Sequence, residues 1–382
     1  MSKNTIYLDN AATTKISPTA LEIMTECLIN NYGNPSSIHK IGSLAKKSLE
    51  TAREQTAEIF RCDPFELYFT SGGTESDNLA IRGVATALAK QGKNHIITCK
   101  AEHPAVLNQC LKLEKEGFDI TFAPSDRTGC IDPEFIKNAI TPRTALVSVM
   151  FANNETGALQ PIKQIGIICR EKDVLFHTDA VQAAGHIKID LSELPVDLMS
   201  VSGHKLHAPK GTGVLYIKNK TPVSPVLSGG MQERSMRPGT ENIPAILAFA
   251  AALKESYDNI DKNTAIIKNI SDKLTKGLLS IPGTKLNSIA ENKLPHILNV
   301  SFEGVDSETM VLMLSLKNIC VSGGSACTSA DSKPSHVLSA MGLSLPRIKS
   351  AVRFSPDTDI SDEEAEYVIR TCRDITEKFR KK

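Results

Sequence analysis

The sequence has no excess of either charge: 44 Lys and Arg stand against 43 Asp and Glu, for a formal net charge of +1 over 382 residues. That balance removes the electrostatic case for nucleic acid or a membrane surface as the main partner. Long hydrophobic runs are missing too, since no window approaches the roughly 20 apolar residues of a membrane span. The opening stretch MSKNTIYLDNAATT has no apolar signal core, so the expected location is the cytoplasm. The nine cysteines are odd in number and form no CxxC pairs, which argues against a disulfide framework and a structural zinc site. Internal repeats and low-complexity segments are also absent.

What is present is an alternation of strand and helix patterns. The length exceeds the roughly 250–300 residues at which one core stops growing, so two domains are expected. A short strand at Ile6–Asp9 is followed by a helix from about Pro18, a loop at Asn34-Pro35-Ser36-Ser37 and a helical pattern from Ile41 to Phe60. Strand-like runs follow at Glu66–Thr70, His95–Thr98, Phe118–Phe122, Ala145–Met150 and Val174–Thr178. Helical patterns at Glu75–Gln91, Pro104–Glu116 and Pro161–Glu171 separate them. This is the signature of an α/β domain with a mainly parallel sheet, whose ligands bind at the carboxyl ends of the strands. Asn242 to about Leu279 reads as a helix linking domains, and a charged helix from Ser361 closes the chain.

The predicted strand ends carry the unusual residues. Ser71-Gly72-Gly73-Thr74 lies between a strand and a helix, where N–H groups, a hydroxyl and the helix dipole converge on an anion. It is neither GxGxxG nor GxxxxGK[ST], so its guest is not a nicotinamide or a nucleoside triphosphate. His103, Asn154, Asp179 and Gln182 close later strands at the same edge. In DLMSVSGHKLHAPKGTGVLYI, Lys205 sits between two β-prone runs. Taken alone it reads as a loop lysine reaching to solvent. Beside an acid, a ring-bearing residue, polar donors and an anion pocket, it reads instead as a Schiff-base former in a pyridoxal phosphate site. Each neighbour also has a structural reading, because Asp caps helices, Asn makes turns and a lone His is usually a satisfied core or surface group.

These motifs resemble the group I cysteine desulfurases of the class-V aminotransferase family, pyridoxal-phosphate enzymes of fold type I. The resemblance runs through YLDNAATT, GNPSS, FTSGGTESDN, AEHPAV, NNETG, HTDAVQ, SGHK, RPGTEN, GSACTS and VRFS, which cover nearly the whole chain. It implies a large cofactor domain at 16–256 with a seven-stranded, mainly parallel sheet. A smaller α+β domain at 1–15 and 257–382 would carry a cysteine loop at 321–333. It implies that Lys205 tethers the cofactor and acts as base, that Asp179 pairs with the ring nitrogen, and that His103 stacks on the ring and assists proton transfer. Gln182 and Asn154 would face the ring oxygen and substrate. Gly73, Thr74, Ser202, Gly203 and His204 would hold the phosphate with Thr240 of a second subunit, so a homodimer is implied. Arg353 and Asn34 would join Asn154 in binding L-cysteine. Ala208, where a glycine is expected, and Gly229-Gly230-Met231-Gln232, in place of a triple glycine, depart from the pattern.

Cys327 is the second focus. The stretch SGGSACTSADSK has small, flexible residues and no apolar anchor, which predicts an exposed, mobile segment. The other eight cysteines are expected to be small core residues. By resemblance, the Cys327 thiolate takes sulfur from L-cysteine as a persulfide, leaves L-alanine and passes the sulfur to an acceptor. An iron–sulfur scaffold or a tRNA-thiolation enzyme would serve, and Cys327 itself could transiently ligate a cluster. No resident metal is expected, and the spacing of His204 and His207 does not supply a ligand set. An aminotransferase, a selenocysteine lyase and a non-catalytic assembly scaffold are the alternatives.

Overall fold

The structure is a computed structural model that describes residues 5–323 and 334–380. The chain opens with β1 (Ile6–Tyr7), α1 (Pro18–Asn30) and α2 (Lys40–Phe60). Pro18 begins α1, where its missing N–H is not needed, and Ser17 Oγ accepts the Ala20 N–H at 3.1 Å. Alternation follows: β2 (Leu67–Thr70), α3 (Gly73–Ala89), β3 (His95–Cys99), α4 (Pro104–Lys115), β4 (Asp119–Ala123) and α5 (Pro133–Ala139). The first half ends with β5 (Thr144–Ser148), α6 (Ile162–Glu171), β6 (Leu175–Asp179), β7 (Leu198–Ser202) and β8 (Gly213–Ile217).

These strands form one seven-stranded sheet in the order β2-β8-β7-β6-β5-β3-β4. Pairing is parallel from β7 to β4, whereas β8 runs antiparallel to both neighbours. Two reversals bring β2 back to the common direction, so its carboxyl end faces the same edge as those of β3, β5, β6 and β7. Strands β3, β5, β7 and β8 are buried at every position, as continuous apolar runs covered on both faces should be.

The long helix α7 (Ile243–Leu279) contributes Ile246 to Leu253 to the core around this sheet and Ile270 to Leu278 to a second core. The second core is built on β9 (Thr284–Leu286), β10 (Leu298–Phe302), α8 (Ser307–Ser315), β11 (Ile319–Cys320) and β12 (Ser322–Gly323). Helices α9 (His336–Ala340) and α10 (Leu345–Lys349) turn Val337, Leu338 and Ile348 back into the first core, and β13 (Ala351–Phe354) and α11 (Asp362–Arg380) complete the second. The smaller sheet runs β12-β13-β10-β9, and β1 pairs in parallel with β11, carrying Ile6 and Leu8 into the second core.

Several expectations need adjusting. Helix α3 starts at Gly73 rather than near Glu75, so Gly73 and Thr74 lie in its first turn. Gly72 allows this with φ 148°, a conformation that side-chain-bearing residues avoid. The opening strand stops at Tyr7, with Asp9 in a single bridge to Ser355. Helix α5 has seven residues, too few for a periodic signal, and is set by its Asp132 cap and Pro133. Cys27, Cys99, Cys110, Cys169 and Cys372 are buried as expected, but Cys62, Cys130 and Cys320 are half-buried. At the Ala208 departure, the left-handed turn residue is His207, with φ 65°.

One buried ion pair fixes the edge of the large sheet. Arg53 donates to both carboxylate oxygens of Glu233, at 2.9 and 2.6 Å, and to the Leu67 carbonyl at 2.8 Å. Both side chains are nearly inaccessible. Removing one partner of such a pair strands a buried charge, so Arg53→Met is expected to cost about 3–5 kcal/mol of folding stability. Chemical denaturation of the variant checks this, and a loss below about 1 kcal/mol would contradict it.

Candidate active site

The carboxyl ends of β2, β3, β5, β6 and β7 bring most of the sequence candidates to one edge. Asp179 ends β6, and its Oδ1 accepts the Val181 N–H at 2.9 Å. Burial raises its carboxyl to about 6, opposed by that hydrogen bond and by Lys205. His103 caps α4, with Nδ1 accepting the Ala105 N–H at 3.2 Å. Burial, then the charges of Lys205 and His336, push its imidazole down to about 4. A neutral ring that accepts at Nδ1 carries its proton on Nε2.

Two buried acids lie behind this pair. Asp77, on α3, is fully buried beside the Ser200 hydroxyl and lies 3.6 Å from His177 Nε2. Burial and then the Asp179 charge raise its carboxyl well above the usual range. Asp77, His103 and Asp179 each place a ligating atom within 4.8 Å of the others. Glu102 accepts the Met150 N–H at 2.7 Å, and burial raises its carboxyl from 4.5 to about 8. Between those values the folded chain holds a proton that the unfolded chain has lost, so stability falls as pH rises through the window. Glu102→Gln is expected to reduce that fall. Denaturation of the cofactor-free chain at pH 5 and pH 8 measures it, and an unchanged difference would contradict the assignment.

Lys205 closes a short turn after β7 and is half-buried. Its Nζ donates to the carbonyls of Ala11 and Ala12, each at 2.7 Å, and Gln182 Nε2 donates to the same Ala11 carbonyl at 2.9 Å. The segment after β1 thus lies over the lysine. Arg353, on β13, reaches the site from the smaller sheet. It donates to the Asn154 carbonyl at 2.8 Å and to Asp9 Oδ1 at 3.0 Å, while its buried Nε has no partner among the described residues.

At the same edge, α3 follows the end of β2 and begins beside the end of β7. A Cβ on Gly73 would lie 2.7 Å from Val181 Cγ2 and 3.5 Å from Ser202 Cβ, so only glycine fits. No side chain caps α3, and its first-turn N–H groups lack intrahelical partners. His204 faces Thr13 Oγ1 at 3.2 Å and is neutral, pushed down to about 4 by burial and by Lys205. Gly203 is packed so that a Cβ would meet Thr212 at 2.8 Å.

Two candidates stand apart. Asn34 is exposed in the loop after α1, where its Oδ1 accepts the Ser36 N–H at 2.9 Å. Thr240 is exposed, and among the described residues no hydrogen bond joins either to the others. Cys327 lies outside the described residues. The chain on either side is anchored at the site: Ser322 Oγ donates to Asp9 Oδ1 at 2.6 Å, His336 Nε2 lies 2.8 Å from the Glu102 carbonyl, and Ser335 Oγ donates to Glu155 at 2.6 Å.

The class-V aminotransferase family matches residues 6–368. The chain belongs to that family. A cysteine desulfurase IscS of Methanosarcina thermophila is 44% identical over 375 residues, covering 98% of this chain and 93% of the relative. A solved structure described as a NifS-like protein superposes with a TM-score of 0.93 at 35% identity, covering 98% of this chain and all of that one. The structure of SspA in complex with cysteine has a TM-score of 0.82 at 34% identity, covering 92% and 98%. The fold-type I expectation, an α/β architecture with a mostly parallel seven-stranded sheet, therefore holds for this class-V aminotransferase.

Asp77 and Glu102 were not singled out as site residues by the sequence. A signal existed for Asp77, because it interrupts the buried α3 stripe of Ala80, Ile81 and Val84 with a charge. Glu102 offered only its place beside His103.

Proposed function

We propose that the chain is a pyridoxal-phosphate-dependent cysteine desulfurase that takes sulfur from L-cysteine, releases L-alanine and hands the sulfur to an acceptor. One observation carries the reading: the buried carboxyl of Asp179, the imidazole of His103 and the amine of Lys205 converge at strand ends beside an uncapped helix start. The residues suit the cofactor, since the carboxylate matches a protonated ring nitrogen and the α3 start matches a phosphate. Gly73, Thr74, Ser202, Gly203 and His204 would hold that phosphate, with Gln182 and Asn154 at the ring's oxygen and substrate side. Bound pyridoxal phosphate supplies an electron sink for the pair left when the substrate Cα–H bond breaks.

The chain's own residues do the rest. Asp179 would hold a proton on the ring nitrogen, and His103, kept neutral, would pack against the ring and offer its Nε2–H. Lys205 Nζ would hold the cofactor and would serve as the base for the substrate Cα proton. Arg353 orients the substrate carboxylate with help from Asn154 and Asn34, its unpartnered Nε supplying a donor. Cys327, as thiolate, would attack the substrate sulfur: its S–S bond forms as the substrate Cβ–S bond breaks, and the electron pair stays with the carbon fragment, which is protonated to L-alanine.

The protein is proposed to work as a homodimer in the cytoplasm, with Thr240 completing the neighbouring subunit's phosphate site. Exposed Leu28, Ile29, Tyr32 and Met231 give apolar surface for that association. The proposed domains are 16–256 and 1–15 with 257–382, and Ala11, Leu294, Ile297, Val337, Leu338 and Ile348 of the smaller one pack into the core of the larger. The acceptor would be an iron–sulfur scaffold or a tRNA-thiolation enzyme. Borohydride treatment of the purified protein tests the cofactor assignment: the pyridoxyl mass is expected on the peptide containing Lys205, and its recovery on another lysine would refute the site.

A further inference from the structure

The start of α3 carries a carboxylate where an anion is to bind. Glu75 is the third residue of the helix, and its Oε2 accepts the Ser71 N–H at 2.8 Å, within the turn that would cradle the phosphate. A free negative charge there favours the helix dipole but repels a phosphate dianion competing for the same N–H groups. Arg237 lies against it, with Nε at 2.8 Å from Oε1 and Nη2 at 3.4 Å from Oε2. Burial alone would raise the Glu75 carboxyl, but hydrogen bonds from Arg237 and Ser71 hold it below the usual range, so it stays ionised.

The placement of Arg237 is built with strain. Glu233, Arg234 and Ser235 have φ of 43°, 55° and 64°, three consecutive left-handed residues without a glycine. They are held to the strand that feeds the cradle. Glu233 Oε2 accepts the Phe69 N–H at 2.8 Å while paired with Arg53, and Arg234 donates to the Leu67 carbonyl at 2.6 Å. Residues 233–237 therefore grip both sides of the Ser71–Thr74 turn: β2 before it and Glu75 after it.

We infer that Arg237 is a positioning residue for the cofactor's phosphate, acting through Glu75: it neutralises the carboxylate that braces the turn, so that the turn keeps its shape without repelling the anion. This rests on the cofactor reading given above.

Spectral titration of the full-length chain, stripped and reloaded, tests this with pyridoxal phosphate and with pyridoxal, which lacks the phosphate. Arg237→Gln is expected to weaken pyridoxal phosphate binding by about tenfold and to leave pyridoxal binding unchanged. Adding Glu75→Gln to Arg237→Gln is expected to restore affinity to within about threefold of the parent, because the repelling charge is then gone. A purely structural clasp would lose both ligands in the single variant and would not recover in the double, and either result overturns the inference. Unchanged affinity in Arg237→Gln overturns it as well. If the parent chain itself binds no pyridoxal phosphate, the functional reading and the inference fall together.

Discussion

Lys205→Ala is expected to abolish sulfide formation from L-cysteine, a loss of at least about 1,000-fold, and to leave no covalently attached cofactor after borohydride reduction. The size follows from the two roles assigned to one amine. Without it the substrate must displace nothing, but no base stands at Cα, and the buried carboxylate of Asp179 also loses the cation that opposes its protonation. The fold should survive, since the lysine is half-buried and its visible bonds are to two carbonyls of the segment after β1. A variant that keeps more than about a tenth of the parent rate would move the base to another residue, with His103 the next candidate.

Cys327→Ala separates the second half of the reaction from the first. The expected variant keeps the visible absorbance of the bound cofactor and still responds to L-cysteine, yet produces no sulfide above about one-thousandth of the parent rate. Mass spectrometry of the parent after L-cysteine should add one sulfur atom to the peptide containing Cys327, and the variant should carry none. The residues flanking the segment support its delivery to the site, because Ser322 bonds Asp9, the partner of Arg353, and His336 bonds the residue next to His103. Sulfide release at the parent rate from Cys327→Ala would remove the persulfide from the account.

The sequence made the sheet and its loaded edge legible for a simple reason. Fully buried parallel strands must be continuously apolar, so a polar residue directly after such a run, as at His103, Asp179 and Lys205, is conspicuous. The family motifs then assigned roles that spacing alone could not. Less legible were features that depend on tertiary packing. Asp77 sits in a helix whose pattern is otherwise apolar, and only the folded chain shows its buried carboxylate beside that of Asp179 and the ring of His103. The reversal of β8 was hidden, since direction leaves no mark on a five-residue run. The left-handed run at 233–235 was equally invisible, because Glu-Arg-Ser carries none of the residues that favour it. Arg353 was found as a lone cation in an alternating strand, but its bonds to Asp9 and Asn154 join segments about 200 and 340 positions away in sequence.

The central claim is tested most directly by incubating the full-length protein with L-cysteine and a thiol reductant and measuring sulfide and alanine in the same tube. The account predicts the two in equal amounts, both dependent on Lys205 and Cys327. Amino-group transfer to a keto acid without sulfide, or sulfide accompanied by pyruvate and ammonia in place of alanine, would contradict it.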